Sequence, residues 1–331
     1  MNALPNPYLG PRFFEARDRQ YFFGRDSEIR ILTGLVLARR VVLLFAKSGV
    51  GKSSLLRAGL IPQLTAEQVT VGRRRRVQRT VQRMTVLPIG YVGRSIASAS
   101  TPNIFVQGLL LTLTTEASAI DENAANLVDG LAPLFTPSTD VMPEDDHTEV
   151  DDRPILLILD QFEELFTRHL DRRHERAALF DELNQALIAY PRLHLLFSMR
   201  EDYIGELIPY ADLLPDRMRS RFRLEPLSRA AALAAIMEPA AAVGRTFTDD
   251  AAAALIDNLS LHPTSITPAL TSATDGLGLQ EALRQGAAML GGVIEPVHLQ
   301  IVCRELWEKL PADRTEILVA DLKDYETLIR R

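Results

Sequence analysis

Residues 46–53 have the types and the spacing of a loop that binds phosphate. They read AKSGVGKS, which is the Walker A pattern with alanine at the first glycine position. Gly49 and Gly51 can adopt backbone angles that turn successive N–H groups toward one anion. Lys52 is expected to place its charge on the β- and γ-phosphates, and the Ser53 hydroxyl to bind Mg²⁺. The predicted nucleotide-binding residues of this segment are Ser48, Gly49, Val50, Gly51, Lys52, Ser53 and Ser54.

The loop lies in the sequence context that this motif requires. Residues 41–45 (VVLLF) are apolar and predict a central strand, while residues 54–64 have apolar side chains at helical spacing. Such a helix directs its positive end at bound phosphates, and Pro62 is expected to end it. Ala46 is tolerated if its position needs no positive φ.

An acidic segment follows a second apolar run. Residues 155–159 predict a buried strand that delivers Asp160 to the carboxyl edge of the sheet, as in a Walker B motif that holds Mg²⁺. Many related ATPases place a glutamate directly after this aspartate to polarise water. Here the position holds Gln161, whose amide cannot take a proton, so Glu163 or Glu164 would have that role. The spacing favours Glu164, and if neither glutamate reaches, hydrolysis is slow and the nucleotide is held.

A third strand end carries a positive charge. The apolar run 193–198 predicts a strand that is followed by Arg200. A polar residue at this position can sense the γ-phosphate in folds of this class. The alternative is a surface ion pair of Arg200 with Glu201 or Asp202.

The elements that must position these residues alternate between strand and helix. Further strands are predicted at 85–91 and 221–224, and helices begin at Asp26 and cover 104–113 and 177–190. This alternation predicts an α/β protein with a parallel sheet sandwiched by helices. From residue 228 the composition changes to alanine-rich helices, at 228–238, 249–259 and 296–309, and the tail 317–331 is expected to begin another. Residues 115–153 and 260–293 are predicted to be insertions.

Composition limits the function classes. The chain has 331 residues with a formal net charge of −6, which excludes a nucleic-acid coat or a polybasic membrane binder. Cys303 is the single cysteine, so a reducing cytoplasm is expected. The apolar runs are too short to cross a bilayer, and the first residues do not resemble a secretory signal.

Several weaker features are compatible with purely structural roles. Four consecutive arginines at 73–76 form either a solvated loop, which we favour, or a nucleic-acid patch. His298 and Cys303 share a helix, but no metal-ligand partner lies at suitable spacing, so packing is expected. The chain has no Asn-Lys-x-Asp motif for guanine, which favours ATP and ADP over guanine nucleotides.

Four stretches together resemble the STAND signalling NTPases, and within them the bacterial novel STAND group. They are residues 8–10 with 22–25 (FFGR), 51–60 (GKSSLLRAGL), 160–166 (DQFEELF) and 295–300 (EPVHLQ). The resemblance implies an AAA+/STAND-like P-loop NTPase core at 35–227, preceded by an adenine-contacting arm at 1–34 and followed by a small α-helical lid domain at 228–331. It places Phe23, Gly24 and Arg25 against the adenine and Pro296 against the nucleotide.

The same resemblance implies a regulatory ATPase. ADP holds the resting form, and ATP permits homo-oligomerisation in signalling, often in defence against phage. The family pattern continues past residues 321–325 into a winged helix that is missing here, so a sensor or effector module is expected to be truncated or supplied separately. Two other functions stay open: a nucleotide-bound scaffold with little turnover, and a DNA-associated AAA+-like ATPase that only the arginine run supports.

Overall fold

A computed structural model of the protein describes residues 4–66, 68–71, 78–81, 83–94, 103–114, 120–135, 153–260, 294–311 and 314–325. By its contacts the chain forms two compact units. The first unit comprises Met1–Ile29, Ser48–Gly59 and Glu225–Arg331, and the second comprises Arg30–Lys47 and Leu60–Leu224. The boundaries predicted at 34/35 and 227/228 stay a prediction. The arginine run at 73–76 and residues 261–293 of the predicted insertion 260–293 lie outside the described residues.

The second unit contains a five-stranded parallel sheet. Its strands are β1 (Val41–Ala46), β4 (Thr85–Val86), β5 (Ile155–Leu159), β6 (Leu193–Arg200) and β7 (Arg221–Arg223), in the order β4-β5-β6-β1-β7. Two short strands outside it, β2 (Gln68–Val71) and β3 (Gln78–Val81), form an antiparallel pair. In β1 and β5, the residues on either face of the sheet are buried, as expected for a parallel sheet that is covered on both faces. The predicted parallel α/β sheet is therefore confirmed.

Helices flank this sheet. They are α1 (Asp26–Ala38), α3 (Ile104–Leu113), α4 (Leu127–Leu131), α5 (Glu164–Thr167), α6 (Arg176–Ala189) and α7 (Ile204–Leu207), and α2 (residues 52–65) follows the glycine-rich loop. Alternate residues of the strands, such as Leu157 and Phe197, pack with α3 and α6 in one apolar core. Leu127 and Leu131 of α4 belong to the same core, so part of the predicted insertion 115–153 is packed structure, while 115–119 and 136–152 are outside the described residues.

The helix α2 differs from its prediction. It is α-helical at Lys52–Ser54, a π-helix at Leu55–Leu60, and α-helical again at Ile61–Thr65. Pro62 lies in the first turn of that last segment and does not end the helix. Proline is tolerated there because it lacks the N–H group that a first turn leaves without an intrahelical partner.

Two other predicted elements are shorter or of another type. Only Thr85–Val86 of the predicted strand 85–91 pairs as a strand, and Gly90 then makes an isolated bridge to Leu159. In the predicted helical tail, Glu316–Ile317 forms strand β9 and Val319–Tyr325 a 3-10 helix, while 326–331 lie outside the described residues. Strand pairing overrides the local helical propensity here, because β9 pairs in parallel with β8 (Thr246–Phe247).

The first unit is mainly helical. Its long helices are α8 (Arg229–Ala242), α9 (Asp249–Ser260) and α10 (Pro296–Lys309), which share one core with Tyr8 of the N-terminal arm. Tyr8 donates its hydroxyl to the Ile236 carbonyl at 2.5 Å and packs edge-on against Trp307. None of the helices in the described ranges combines the length and the apolar character that a bilayer crossing needs.

Cys303 lies on α10 in this core and is fully buried, and burial raises the pKa of its thiol. Because the thiolate is the reactive form, we expect a disulfide reagent to label the native protein at least about a hundredfold more slowly than the chain in concentrated guanidinium chloride. The release of one chromophore per chain reports the reaction. Native labelling at the rate of a free thiol would show that α10 is not packed as described.

Candidate functional site

The glycine-rich loop has the backbone that its sequence predicts. Gly49 and Gly51 have φ values of +79° and +96°, which disfavour other residues. A Cβ atom built on either glycine meets no heavy atom within 4 Å, so each side of the loop that a side chain would fill is open. Ala46 ends β1 in a strand register, which explains why alanine is tolerated at the first motif position. The loop therefore leaves open space beside both glycines.

A pocket in the first unit begins at this loop. The space between its walls is about 580 Å³ when the part open to solvent is counted. Gly49, Val50 and Gly51 form one part of its wall. Another part is aromatic, with Phe14, Tyr21, Phe22 and Phe23, and a third comes from the first turns of α10, with Pro296, Val297, Leu299 and Gln300. A flat apolar base and a phosphate chain could therefore be held in the same pocket.

The Arg25 side chain links the N-terminal arm to the glycine-rich loop by hydrogen bonds. Its side chain is 4% exposed. Its guanidinium donates to the Glu28 carboxylate at 2.7 Å, to the Glu225 carbonyl at 2.8 Å and to the Val50 carbonyl at 3.1 Å. Burial lowers the pKa of this guanidinium and the bond to Glu28 opposes that shift. Arg25 thus lines the pocket and also holds the loop backbone in place, a positioning role that the sequence did not reveal.

Gly24, next to Arg25, faces a helix. Its φ is +82°, and a Cβ atom there would lie 2.3 Å from the Ala231 carbonyl oxygen of α8. Gly24 is not part of the pocket wall that Phe23 and Arg25 line. Its predicted contact with adenine stays a prediction, whereas its close approach to α8 explains why glycine stands here.

The remaining loop residues have different surroundings. Ser54 lines the pocket, and its Oγ accepts a hydrogen bond from the Phe14 N–H at 3.1 Å. Ser48 is exposed, while Lys52 and Ser53 are half-buried at the start of α2. The contacts predicted for Lys52 with phosphate and for Ser53 with Mg²⁺ stay predictions.

The second unit holds the acidic sheet edge. Asp160 follows β5 directly and is 2% exposed, and its Oδ1 accepts a hydrogen bond from the Ser198 hydroxyl of β6 at 2.7 Å. This bond fixes the carboxylate at the carboxyl end of two parallel strands, where ligands bind in open α/β sheets. Sequence reasoning did not assign Ser198, although a lone hydroxyl in a buried apolar strand is a signal that could have found it.

The turn after Asp160 is held by an aromatic anchor. Phe162 is fully buried against Phe197, and its N–H donates to the Ser198 carbonyl at 2.9 Å. Gln161 is therefore left outside, exposed and with a φ of +54°, a conformation that few residues other than glycine adopt.

The two candidate glutamates have different partners. Glu163 Oε2 accepts from the backbone N–H of Arg200 at 3.1 Å, at the end of β6. Glu164 pairs with Arg168 at 3.0 Å and packs on Gly93, where a Cβ atom would lie 2.2 Å from its Oε2. Glu163 thus belongs to the strand edge that carries Asp160 and Ser198.

Arg200 forms the surface ion pair with Asp202 that was the alternative to sensing the γ-phosphate. Its guanidinium donates to Asp202 Oδ2 through Nε at 3.1 Å and through Nη2 at 2.7 Å, and this bond raises the pKa of Arg200. The pair is partly exposed, so it contributes little stability by itself. The sensing role stays a prediction.

Comparison with known families decides the identity of the chain. The model of the family described as novel STAND NTPase 1 matches residues 7–285, which include residues 7–34 of the arm, the glycine-rich loop and the acidic segment. The chain belongs to the novel STAND NTPase 1 family. The resemblance seen in its motifs is thereby confirmed, and the chain is a P-loop NTPase with a central parallel sheet flanked by helices.

Solved structures similar to this STAND NTPase are distant. A Walker-type ATPase of Pyrococcus abyssi is 13% identical with a TM-score of 0.49, covering 98% of this chain and 77% of that one. The ORC2 protein of Aeropyrum pernix, solved as ADPNP–ADP complexes, is 15% identical with a TM-score of 0.44, covering 87% and 68%. The ORC1 protein of Aeropyrum pernix in complex with DNA is 13% identical with a TM-score of 0.47, covering 93% and 65%. No curated protein matches the sequence.

The residues of this STAND NTPase fit Mg²⁺ better than a softer metal. Within the described ranges no group of three or more His, Cys, Asp or Glu side chains could hold a metal by itself. Mg²⁺ is commonly held by one or two protein oxygens together with water and substrate phosphates. The buried Asp160 carboxylate and the Ser53 hydroxyl are oxygen donors of this kind.

Proposed function

We propose that this STAND NTPase binds ATP and ADP with Mg²⁺ in the pocket of its first unit. One observation carries the proposal: the open glycine loop and an aromatic wall line the same pocket. The base would stack on the aromatic side chains and Pro296, and the phosphates would accept hydrogen bonds from the N–H groups of the loop. Calorimetric titration with MgATP and MgADP tests the proposal, which fails if neither nucleotide binds.

Each polar residue then has a role toward the nucleotide. Lys52 supplies positive charge to the β- and γ-phosphates, and Ser53 and Asp160 hold Mg²⁺, with Ser198 orienting the Asp160 carboxylate. When bound, the metal neutralises charge that develops on the phosphate oxygens. Arg200 would sense the γ-phosphate, in competition with its pairing to Asp202.

We further propose that Glu163 rather than Glu164 takes the proton of the attacking water. The Arg168 guanidinium occupies Glu164, whereas Glu163 is held at the end of β6 by a backbone N–H group. A general base must lie within hydrogen-bond reach of the proton that it takes, so position at the sheet edge favours Glu163. Spacing along the sequence had favoured Glu164, but Glu163 shares the sheet edge with Asp160.

Replacing Glu163 by Gln is therefore expected to lower kcat by about 10²–10⁴-fold, the usual loss when a general base is removed. The amide still accepts from the Arg200 N–H, so affinity for ATP should change little. Glu164→Gln is the matched control and should lower kcat less than about tenfold. Phosphate release at saturating MgATP measures both, and the reverse order of the two losses would assign the base to Glu164.

The nucleotide state is proposed to control assembly. The pocket is built from an N-terminal arm, the loop and helix α10, so its occupant contacts segments that are far apart in the sequence. We propose that ADP holds the resting form and that ATP permits homo-oligomerisation. The setting would be cytoplasmic signalling, in bacterial antiphage defence, with a sensor or effector module. Light scattering coupled to size exclusion tests this with ADP and with a non-hydrolysable ATP analogue; identical masses contradict it.

A scaffold with little turnover is the second candidate. It is favoured by Gln161, which follows Asp160 and is exposed in a left-handed conformation with no group that can take a proton. Such a protein would bind nucleotide and change shape or partners without hydrolysing it at a useful rate. Phosphate release well above background that is lost in Asp160→Asn eliminates this candidate.

A further inference from the structure

We propose that the side-chain amide of Gln300 reads the bound base through its NH2 group and selects adenine over guanine. The inference rests on the proposed function, because it needs a purine nucleotide in the pocket. Gln300 lies one turn after Pro296 on α10, lines the pocket, and is 8% exposed. Buried amides are normally hydrogen-bonded, so both the oxygen and the NH2 group of Gln300 are expected to have partners.

The oxygen of this amide already has a hydrogen-bond partner. Gln300 Oε1 accepts a hydrogen bond from the Leu9 backbone N–H at 3.0 Å. An N–H group can only donate, so the oxygen of the amide must face Leu9 and the orientation of the amide is fixed by chemistry. Among the described residues no group accepts from Nε2. The NH2 group is therefore the donor that this wall offers to a ligand.

The segment that fixes the amide is itself held firmly. The Leu9 carbonyl accepts from Arg304 Nη1 at 3.1 Å, and Asn6 Nδ2 donates to the Arg304 carbonyl at 3.3 Å. The neighbouring Tyr8 is 1% exposed and bonded to Ile236 through its hydroxyl. Turning the amide around would place NH2 against the N–H of a segment that cannot move away, which leaves a buried donor without a partner.

A fixed donor discriminates between the two purines. Ribose and triphosphate are attached at N9, so a nucleotide whose phosphates lie on Gly49 and Gly51 presents its opposite edge, with N1 and the 6-substituent, away from the loop. Adenine N1 has a lone pair and accepts from NH2. Guanine N1 carries a hydrogen, so an NH2 group placed opposite N1 would face another donor, and the base would have to shift before the NH2 group could donate to O6. Such a mismatch corresponds to about tenfold or more in affinity.

The test uses Gln300→Glu, in which a carboxylate still accepts from Leu9 N–H but has no hydrogen to donate. Calorimetry gives the Kd of ATP, GTP and 1-deaza-ATP, in which C–H replaces N1. We expect the wild-type protein to bind ATP about tenfold or more tightly than 1-deaza-ATP and GTP. In Gln300→Glu the preference for ATP over 1-deaza-ATP should be lost, because the carboxylate has no hydrogen to donate to adenine N1. The preference for ATP over GTP should be lost or reversed, because the carboxylate can accept from guanine N1–H.

The matched control is Arg229→Met, which changes the net charge by −1 as Gln300→Glu does but removes an exposed ion pair with Asp257 in the same unit. It should leave the wild-type ratios unchanged. The inference is overturned if the wild-type protein binds ATP and 1-deaza-ATP equally, or if Gln300→Glu keeps the wild-type ratios while binding ATP. If the wild-type protein binds none of the three, the proposed function fails together with it, a result distinct from binding without discrimination.

Discussion

Replacing Gly24 by alanine is expected to destabilise the first unit by about 2–5 kcal/mol. The φ of +82° disfavours any Cβ atom, and that atom would also lie 2.3 Å from the Ala231 carbonyl oxygen. A backbone carbonyl in a helix cannot swing aside as a side-chain end can, so the helix or the arm must shift. Nucleotide affinity should fall as well, because Phe23 and Arg25 on either side of Gly24 line the pocket.

Gly244 supplies the matched control for this prediction. It has a φ of +88°, yet a Cβ atom there meets no heavy atom within 4 Å. Gly244→Ala should therefore cost only the left-handed conformation, about 1–2 kcal/mol, and should leave nucleotide binding intact. Denaturation followed by labelling of Cys303 gives the free energy of unfolding of both variants. Equal losses would show that the approach of Gly24 to α8 has no energetic consequence.

Replacing Asp160 by asparagine is expected to lower the rate of Mg²⁺-dependent hydrolysis on the order of 10²–10³-fold or more, since a metal held in place contributes several kcal/mol to catalysis. The amide oxygen can still accept from the Ser198 hydroxyl, so the fold should be preserved. The loss arises because the buried position no longer carries the charge that holds Mg²⁺. Ser198→Ala removes only the orienting bond, and its effect should be on the order of tenfold.

Asp212→Asn is the control for the loss of one negative charge. Asp212 is exposed, pairs with Arg217 and belongs to the same unit as Asp160. Its replacement should leave hydrolysis within a factor of about two, because exposed charges are screened by solvent and salt. Phosphate release over a series of Mg²⁺ concentrations compares the three variants. Unchanged turnover and unchanged Mg²⁺ dependence in Asp160→Asn would remove Asp160 from the site.

Much of the sheet and the loop could be predicted because their signals are local. Residues 41–45 and 155–159 are apolar at every position, which only a strand covered on both faces requires. The glycines at 49 and 51 are needed for backbone angles that the structure shows. The helices predicted at 104–113 and 296–309 coincide with α3 and α10.

The missing parts depend on contacts between residues distant in the sequence. Gln300 and Leu9 are 291 positions apart, and Asp160 and Ser198 are 38 apart, so no local pattern pairs them. The π-helix at Leu55–Leu60 was missed for a related reason, since its residues have ordinary helical propensities. Side-chain partners also led us to propose Glu163, whereas spacing along the chain favoured Glu164, which is paired with Arg168.

The most direct test of the central claim is to locate the base with a photoreactive azido-ATP and to identify the labelled peptides by mass spectrometry. We predict that irradiation labels peptides containing Tyr21, Phe22 and Phe23 or the first turns of α10, and that excess MgATP prevents the labelling. Labelling confined to other parts of the chain, or labelling that MgATP does not compete away, would contradict the assignment of this pocket as the nucleotide site.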